Sequence, residues 1–142
     1  MSVKSVQFTV AAHIMAALGY FDGEEISSAT LAGSVNADST FVRKSLSKLS
    51  KAGLVVTKRG RSGASALARP ARQITLLDIY RASAAPKAFA IHSYPVEKKC
   101  PVSCNLKECM SGVLSQAQDN FERSLAKMTL ADLVGQIREK TH

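Results

Sequence analysis

The sequence predicts a mainly helical fold with one small β-hairpin: a winged helix-turn-helix followed by a long helix toward the C-terminus. Three observations carry that expectation. Two stretches of helical period, Ser28 to Val35 and Asp38 to Leu49, are joined only by Asn36 and Ala37, which is the spacing of a helix-turn-helix. A β-branched run, Leu54 to Thr57, leads through a basic, glycine-containing stretch, Arg59 to Gly63, into a second short run, Ser65 to Leu67, and together these read as a hairpin. Finally, Leu106, Met110, Val113, Ala117, Phe121, Leu125 and Met128 step by three or four positions, as one face of a long helix requires.

Each element follows from local chemistry. In the first helix Val6, Val10, Ile14 and Leu18 recur every four positions, and Asp22 with Gly23 supplies a turn. Ser27 or Ser28 can cap the second helix, which turns Leu31, Ala32 and Val35 inward. Asp38 or Ser39 can cap the third, whose Val42, Leu46 and Leu49 keep the period until Gly53 ends it. Thr75 with Asp78 has the pattern of a capping box before a short helix from Leu76 to Ser83, and Thr129 with Asp132 repeats it before Leu130, Leu133, Val134 and Ile137. Between the two, Ala85 to Cys104 holds three of the four prolines and reads as irregular. The expected organisation is a DNA-binding domain over residues 1–84, a cysteine-containing loop over 85–105, and a dimerisation helix with a last helix over 106–142. A helix from Leu106 to Met128 would extend roughly 30 Å or more at about 1.5 Å per residue, and so long an amphipathic helix needs a partner.

Charge narrows the function. The 142 residues carry a formal charge of +8, which suits a polyanionic partner such as nucleic acid. No stretch approaches the roughly 20 apolar residues of a membrane span, and the N-terminus lacks a secretory pattern, so a cytosolic protein with no membrane partner is expected. Between Ser39 and Leu77 there is no acidic residue, whereas Arg43, Lys44, Lys48, Lys51, Lys58, Arg59, Arg61, Arg69 and Arg72 are all basic. That stretch covers the third helix and the hairpin, so both would meet the phosphates of double-stranded DNA with one positive surface. Ser39, Thr40, Phe41, Arg43, Lys44 and Lys48 on the third helix, with Ser28 on the second, are the expected contacts. Arg43 has the chemistry to read guanine O6 and N7 in the major groove. Arg59 and Arg61 flank Gly60 at the hairpin tip, where an arginine can enter a narrow minor groove.

Enzyme chemistry finds no support: the sequence has no glycine-rich phosphate loop, no Gly-x-Ser-x-Gly elbow and no His-Glu-x-x-His pair. Asp78 and Asp132 read as caps, Glu24 and Glu25 as a solvated turn. Tyr20, Phe21, Phe89 and Tyr94 read as packing residues.

Cys100, Cys104 and Cys109 lie within ten residues and leave several readings open. They are too few and too clustered for a secreted disulfide framework. They can ligate a [2Fe-2S] cluster if a fourth ligand joins them, with His92, His13, Glu97 and Glu108 as options. Alternatively, with Lys98, Lys99 and Lys107 nearby to favour the thiolate, they can act as redox sensors without a cofactor. A third reading gives them no sensory role.

The segment SSATLAGSVNADSTFVRKSLSKLSKAGLV, the wing KRGRSG running into ALARP, the stretch ITLLDIYRA and a cysteine-bearing segment before a long helix together resemble the Rrf2 family of bacterial winged-helix regulators, over most of the chain. The resemblance implies a dimer made by the long helix, with Leu106, Met110, Val113, Leu114, Ala117, Phe121 and Leu125 in its seam. The family's cluster-binding members space their cysteines by five residues, whereas here the gaps are three and four. The expected function is a sequence-specific transcriptional regulator, a repressor on a palindromic operator. The alternative is a small redox or cluster-carrying protein whose basic face docks on an acidic partner.

Overall fold

Helix α1 (Gln7–Tyr20) is the element around which the first part of the chain is built. Its composition explains this: Ala11, Ala16 and Gly19 are small enough to let neighbours approach closely, while Ile14, Met15 and Leu18 fill the space between. In the computed structural model, which describes residues 6–22, 24–58 and 63–141, α1 packs against α2 (Ser28–Val35), α3 (Ser39–Lys51), α4 (Leu76–Ala82), α6 (Leu130–Lys140) and the second hairpin strand. The four-residue stripe expected for α1 is therefore too narrow. Val6 lies exposed, and burial spreads to Ala11, Met15 and Ala16 because elements surround the helix rather than cover one face.

The helix-turn-helix forms by local rules. Ser27 caps α2, its Oγ accepting from Thr30 N–H at 3.1 Å, and Asp38 caps α3 by accepting from Thr40 N–H at 3.3 Å. Asn36, left-handed at φ 55°, makes the bend between them, a conformation asparagine tolerates better than most residues. Val42, Leu46 and Leu49 turn inward with Ser45. Gly53, at φ 78°, ends the excursion and turns the chain into β1 (Val55–Thr57), which pairs antiparallel with β2 (Ser65–Leu67) in the register Val55 to Leu67 and Thr57 to Ser65. Ile26 adds an isolated bridge to Ser65, with N–H···O bonds of 3.1 and 2.8 Å, so the hairpin is tied to the start of α2.

A single 3₁₀ turn (Ala71–Gln73) precedes α4. Helices α4 and α6 begin alike: Thr75 with Asp78 and Thr129 with Asp132 each form a complete capping box. The two starts are joined by a bridge between Thr75 and Thr129, with Leu76 N–H bonded to Met128 O at 2.8 Å and Leu130 N–H to Ile74 O at 2.7 Å. Phe8 of α1 meets Tyr80 of α4 edge-on at 5.4 Å. At the other end of α1, Arg138 of α6 donates to Tyr20 O at 2.8 Å and lies over the Tyr20 ring.

The chain forms two compact units, Met1–Ala85 with Leu125–His142, and Pro86–Ser124. The last helix thus belongs with the helix-turn-helix, not with the long helix as the sequence suggested, because Leu130 and Val134 are buried in the first unit's core. The second unit holds an extended segment and most of α5 (Pro101–Ala126). Helix α5 begins at Pro101 rather than Leu106, so Cys104 is helical and not in a loop. Proline fits the first position of a helix, where its missing N–H leaves no bond unmade, and Cys100 Sγ accepts from Ser103 N–H at 3.4 Å in the manner of a cap.

Candidate nucleic-acid interface

Helix α3 buries one side in the core and turns the other outward. At 3.6 residues per turn, Thr40, Arg43, Lys44, Ser47 and Lys51 share an outward ridge, and all are exposed. Arg43 is steadied by its neighbour one turn back, Nη2 donating to Ser39 Oγ at 3.4 Å, which keeps the guanidinium at the N-terminal end of the helix.

A groove runs along each side of this ridge. On the hairpin side a cavity of about 500 Å³ is floored by Leu46 and edged by Arg43, Ser47, Ser50 and Lys51 of α3, by Ser28 of α2, and by Thr57, Gly63 and Ser65 of the hairpin. Gly63 stands at φ 54°, and a Cβ there would come to 3.9 Å from Ser28 Oγ; backbone freedom, more than space, is what this position asks of glycine. On the opposite side a cavity of about 290 Å³ lies between Phe41, Lys44, Ser45 and Lys48 of α3 and Gln7 and Ser83 from α1 and the end of α4. Among the described residues no acidic one lines either groove.

Not all of the basic stretch is equally available. Lys58 pairs with Glu25; the hydrogen bond that its ammonium donates to that carboxylate, and then the carboxylate's charge, raise the lysine above its ordinary value of 10.5. Arg69 approaches Asp78 at 3.9 Å. Lys44 and Lys48, by contrast, open into the second groove.

The expected contacts Ser28, Ser39, Thr40, Phe41, Arg43, Lys44 and Lys48 thus gather on α3 and its borders. Arg59, Gly60 and Arg61 lie outside the described residues. Sequence reasoning missed Ser47, Ser50 and Thr57 as groove residues. The first two follow from Arg43 by helical spacing and could have been found. Gln7 and Ser83 could not, since only tertiary packing brings them to α3.

The cysteines are all free thiols. Cys100 caps α5, the Cys104 thiol lies 3.6 and 3.5 Å from the carbonyls of Glu97 and Lys98, and Cys109 is exposed further along the helix. His13 is bonded to Ser34 Oγ at 3.1 Å, and His92 is stacked on Tyr94 at 4.8 Å. Glu97 accepts from Lys99 N–H at 3.2 Å. Among the described residues no three such side chains converge as a metal or cluster site would need, so this donor set, as one protomer arranges it, does not fit a cluster. Along α5, Leu106, Met110, Leu114 and Phe121 are half-buried, and Val113 and Ala117 are exposed. Leu125 instead packs against the first unit's core. Among the described residues no helix is long and apolar enough to cross a membrane.

A helix-turn-helix with a hairpin beside an acid-free, basic recognition helix defines a winged-helix DNA-binding regulator. Residues 4–136 match the Rrf2 family, described as iron-dependent transcriptional regulators, and the chain belongs to that family. It is 33% identical over 132 residues to YwnA of Bacillus subtilis, named as an HTH-type transcriptional regulator, covering 92% of this chain and 96% of that one. Among solved structures it is similar to CymR, the global cysteine regulator of B. subtilis, at 25% identity and TM-score 0.68, covering 96% of this chain and 98% of that one. IscR of T. potens shares the fold at 22% identity and TM-score 0.72, over 100% of this chain and 92% of that one.

Proposed function

We propose that this regulator acts in the cytoplasm as a homodimeric repressor that reads a palindromic operator through α3. The observation that carries the proposal is the outward ridge of α3, flanked on both sides by grooves without a carboxylate. The ridge would enter the major groove with Arg43 toward the bases, while Lys44 and Lys48 take phosphates. The hairpin, whose two strands are joined in sequence by a segment carrying Arg59 and Arg61, would lie along the neighbouring minor groove. A homodimer is supported by α5, a 26-residue helix on which Gln118 is the one residue buried within the protomer among those described. Its Leu106, Met110, Val113, Leu114, Ala117 and Phe121 face is then the surface that two copies cover together.

Regulation is assigned to the thiols that begin α5. Cys100 and Cys104 are one helical turn apart, and a hydroperoxide can oxidise them to a disulfide, its O–O bond giving an alcohol and water as the two thiol protons leave. Side chains a turn apart have Cβ atoms about 5–6 Å from one another, whereas a disulfide needs about 3.5–4.5 Å. Closing it would remove the Cys100 cap and distort the first turn of α5.

The deciding experiment selects random duplexes on the full-length protein, then titrates the winners against salt by fluorescence anisotropy. Enrichment of inverted repeats with half-sites about 34 Å apart, and an affinity falling about 10³-fold or more between low and moderate salt for some six phosphate contacts, is the expected result. Random sequences bound as well as selected ones, with shallow salt dependence, would support a basic protein docking on an acidic partner and overturn the repressor reading.

A further inference from the structure

In the second unit the irregular segment after Pro86, with a bend at Ala88, lies against α5. Lys87, Phe89 and Ile91 of this segment face a stripe of α5 formed by Ser111, Leu114, Ser115 and Gln118. Between them lies a cavity of about 230 Å³. Its wall is fastened, not loosely apposed: Gln118, only 8% exposed, accepts from Ala88 N–H at 3.0 Å and donates to Glu122 at 3.2 Å. One amide side chain therefore ties the segment to the helix at the cavity wall.

The lining is chemically one-sided. Phe89, Ile91 and Leu114 offer apolar surface, and Phe89 remains 72% exposed, an unusual state for a residue expected to pack. The Lys87 ammonium and the hydroxyls of Ser111 and Ser115 offer donors, and no carboxylate lines the space. A ligand that satisfied this set would be a monoanion with a compact apolar body. The volume is somewhat below the roughly 300–1,000 Å³ usual for drug-sized ligands, which restricts the occupant to a small metabolite.

We propose that this cavity is a binding site for a small organic monocarboxylate, the carboxylate held by Lys87 and the serine hydroxyls and the aryl or alkyl body lying against Phe89, Ile91 and Leu114. On α5 the stripe that lines the cavity shares Leu114 with the seam of the dimer reading and adjoins Val113 and Ala117, also of that seam. A ligand that orders Phe89 and Leu114 thus acts at the subunit contact, a consequence that rests on that reading, whereas the site itself does not.

Isothermal titration of the full-length protein without DNA tests the site, using phenylacetate and hexanoate as probes and phenylacetamide and hexanamide as uncharged counterparts. The carboxylates should bind one per protomer, and the amides roughly tenfold or more weakly, as loss of a charge-assisted bond implies. Lys87→Met should bring carboxylate affinity down to that of the amides, and Ser115→Trp, on an exposed helix position, should abolish binding while thermal melts confirm that both variants fold. Equal affinity for acid and amide, binding unaffected by Lys87→Met, or no saturable heat from either acid at millimolar concentration would overturn the proposal. A cavity filled by a carboxylate of the second subunit would give that last outcome in the dimer, with binding appearing only on dilution to monomers, and it too would refute a free-metabolite site. None of these results depends on DNA, so the site and the repressor reading stand or fall separately.

Discussion

Replacing Gly19 by alanine tests the packing that completes the DNA-binding unit. An alanine Cβ at this position would stand 2.9 Å from Val134 Cγ2, with Leu130 Cδ2 at 3.6 Å. Carbon atoms pack best at about 3.5–4.0 Å, and a β-branched valine on a facing helix has little freedom to retreat. Such overpacking costs about 1–3 kcal/mol, from which the better helix propensity of alanine recovers up to about 1 kcal/mol. The net loss is about 1–2 kcal/mol, or a fall in Tm of roughly 3–8 °C for a chain of this size. Differential scanning calorimetry of Gly19→Ala, Val134→Ala and the double variant is the assay. Val134→Ala opens a small cavity and is destabilising alone, but it removes the clashing methyl, so the double variant should be more stable than the sum of the two losses by about 1 kcal/mol. A Gly19→Ala protein that melts at or above the parent temperature, or strictly additive losses, would refute the argument that α1 and α6 meet at a glycine-sized gap.

Four other outcomes are expected. Thr129→Ala breaks the capping box of α6 and should cost about 1 kcal/mol by chemical denaturation. Ala84 sits left-handed at φ 55°, a conformation costing an L-residue about 1–2 kcal/mol; Ala84→Gly should therefore raise the melting temperature, since the added chain entropy offsets only about 0.5–1 kcal/mol. The double change Lys44→Gln and Lys48→Gln should flatten the slope of log affinity against log salt by about 2, while Lys58→Gln, removing a lysine already paired with Glu25, should change it far less; anisotropy titrations compare them. Because the folded pKa of Lys58 is raised, its contact with Glu25 contributes fully below the unfolded value near 10.5 and is lost as pH climbs through the higher folded value. Thermal melts at alkaline pH should accordingly show an extra fall in the parent that Lys58→Met lacks.

What the sequence made legible was chemistry that acts over one turn. The caps at Ser27, Asp38, Thr75 and Thr129 were readable because a side-chain oxygen bonds an N–H two or three residues ahead, whatever surrounds the helix. The inward face of α3 was readable because that helix is amphipathic. The burial of α1 was not, since a helix enclosed by five neighbours has no polar face to betray its orientation. The start of α5 was misplaced because proline reads as a loop signal even where it begins a helix. The ridge of the candidate interface could be drawn on a helical wheel, yet its second groove depends on Gln7 and Ser83 arriving from elsewhere. Phe89, expected to pack, is exposed because the segment carrying it folds against α5 with the ring at the rim of the cavity.

The first unit is interrupted: the chain leaves it at Ala85 and re-enters at Leu125, and only then does α6 place Leu130 and Val134 against α1. A growing polypeptide therefore cannot finish the unit that bears the recognition helix until the whole of α5 has been synthesised. A ribosome that stalls or terminates early within α5 releases a product lacking the rest of that helix and the closing face of its own core. Such fragments, lacking a closed core, would fall to proteases, so the order of elements along the gene makes completion of the unit that bears α3 conditional on the synthesis of α5.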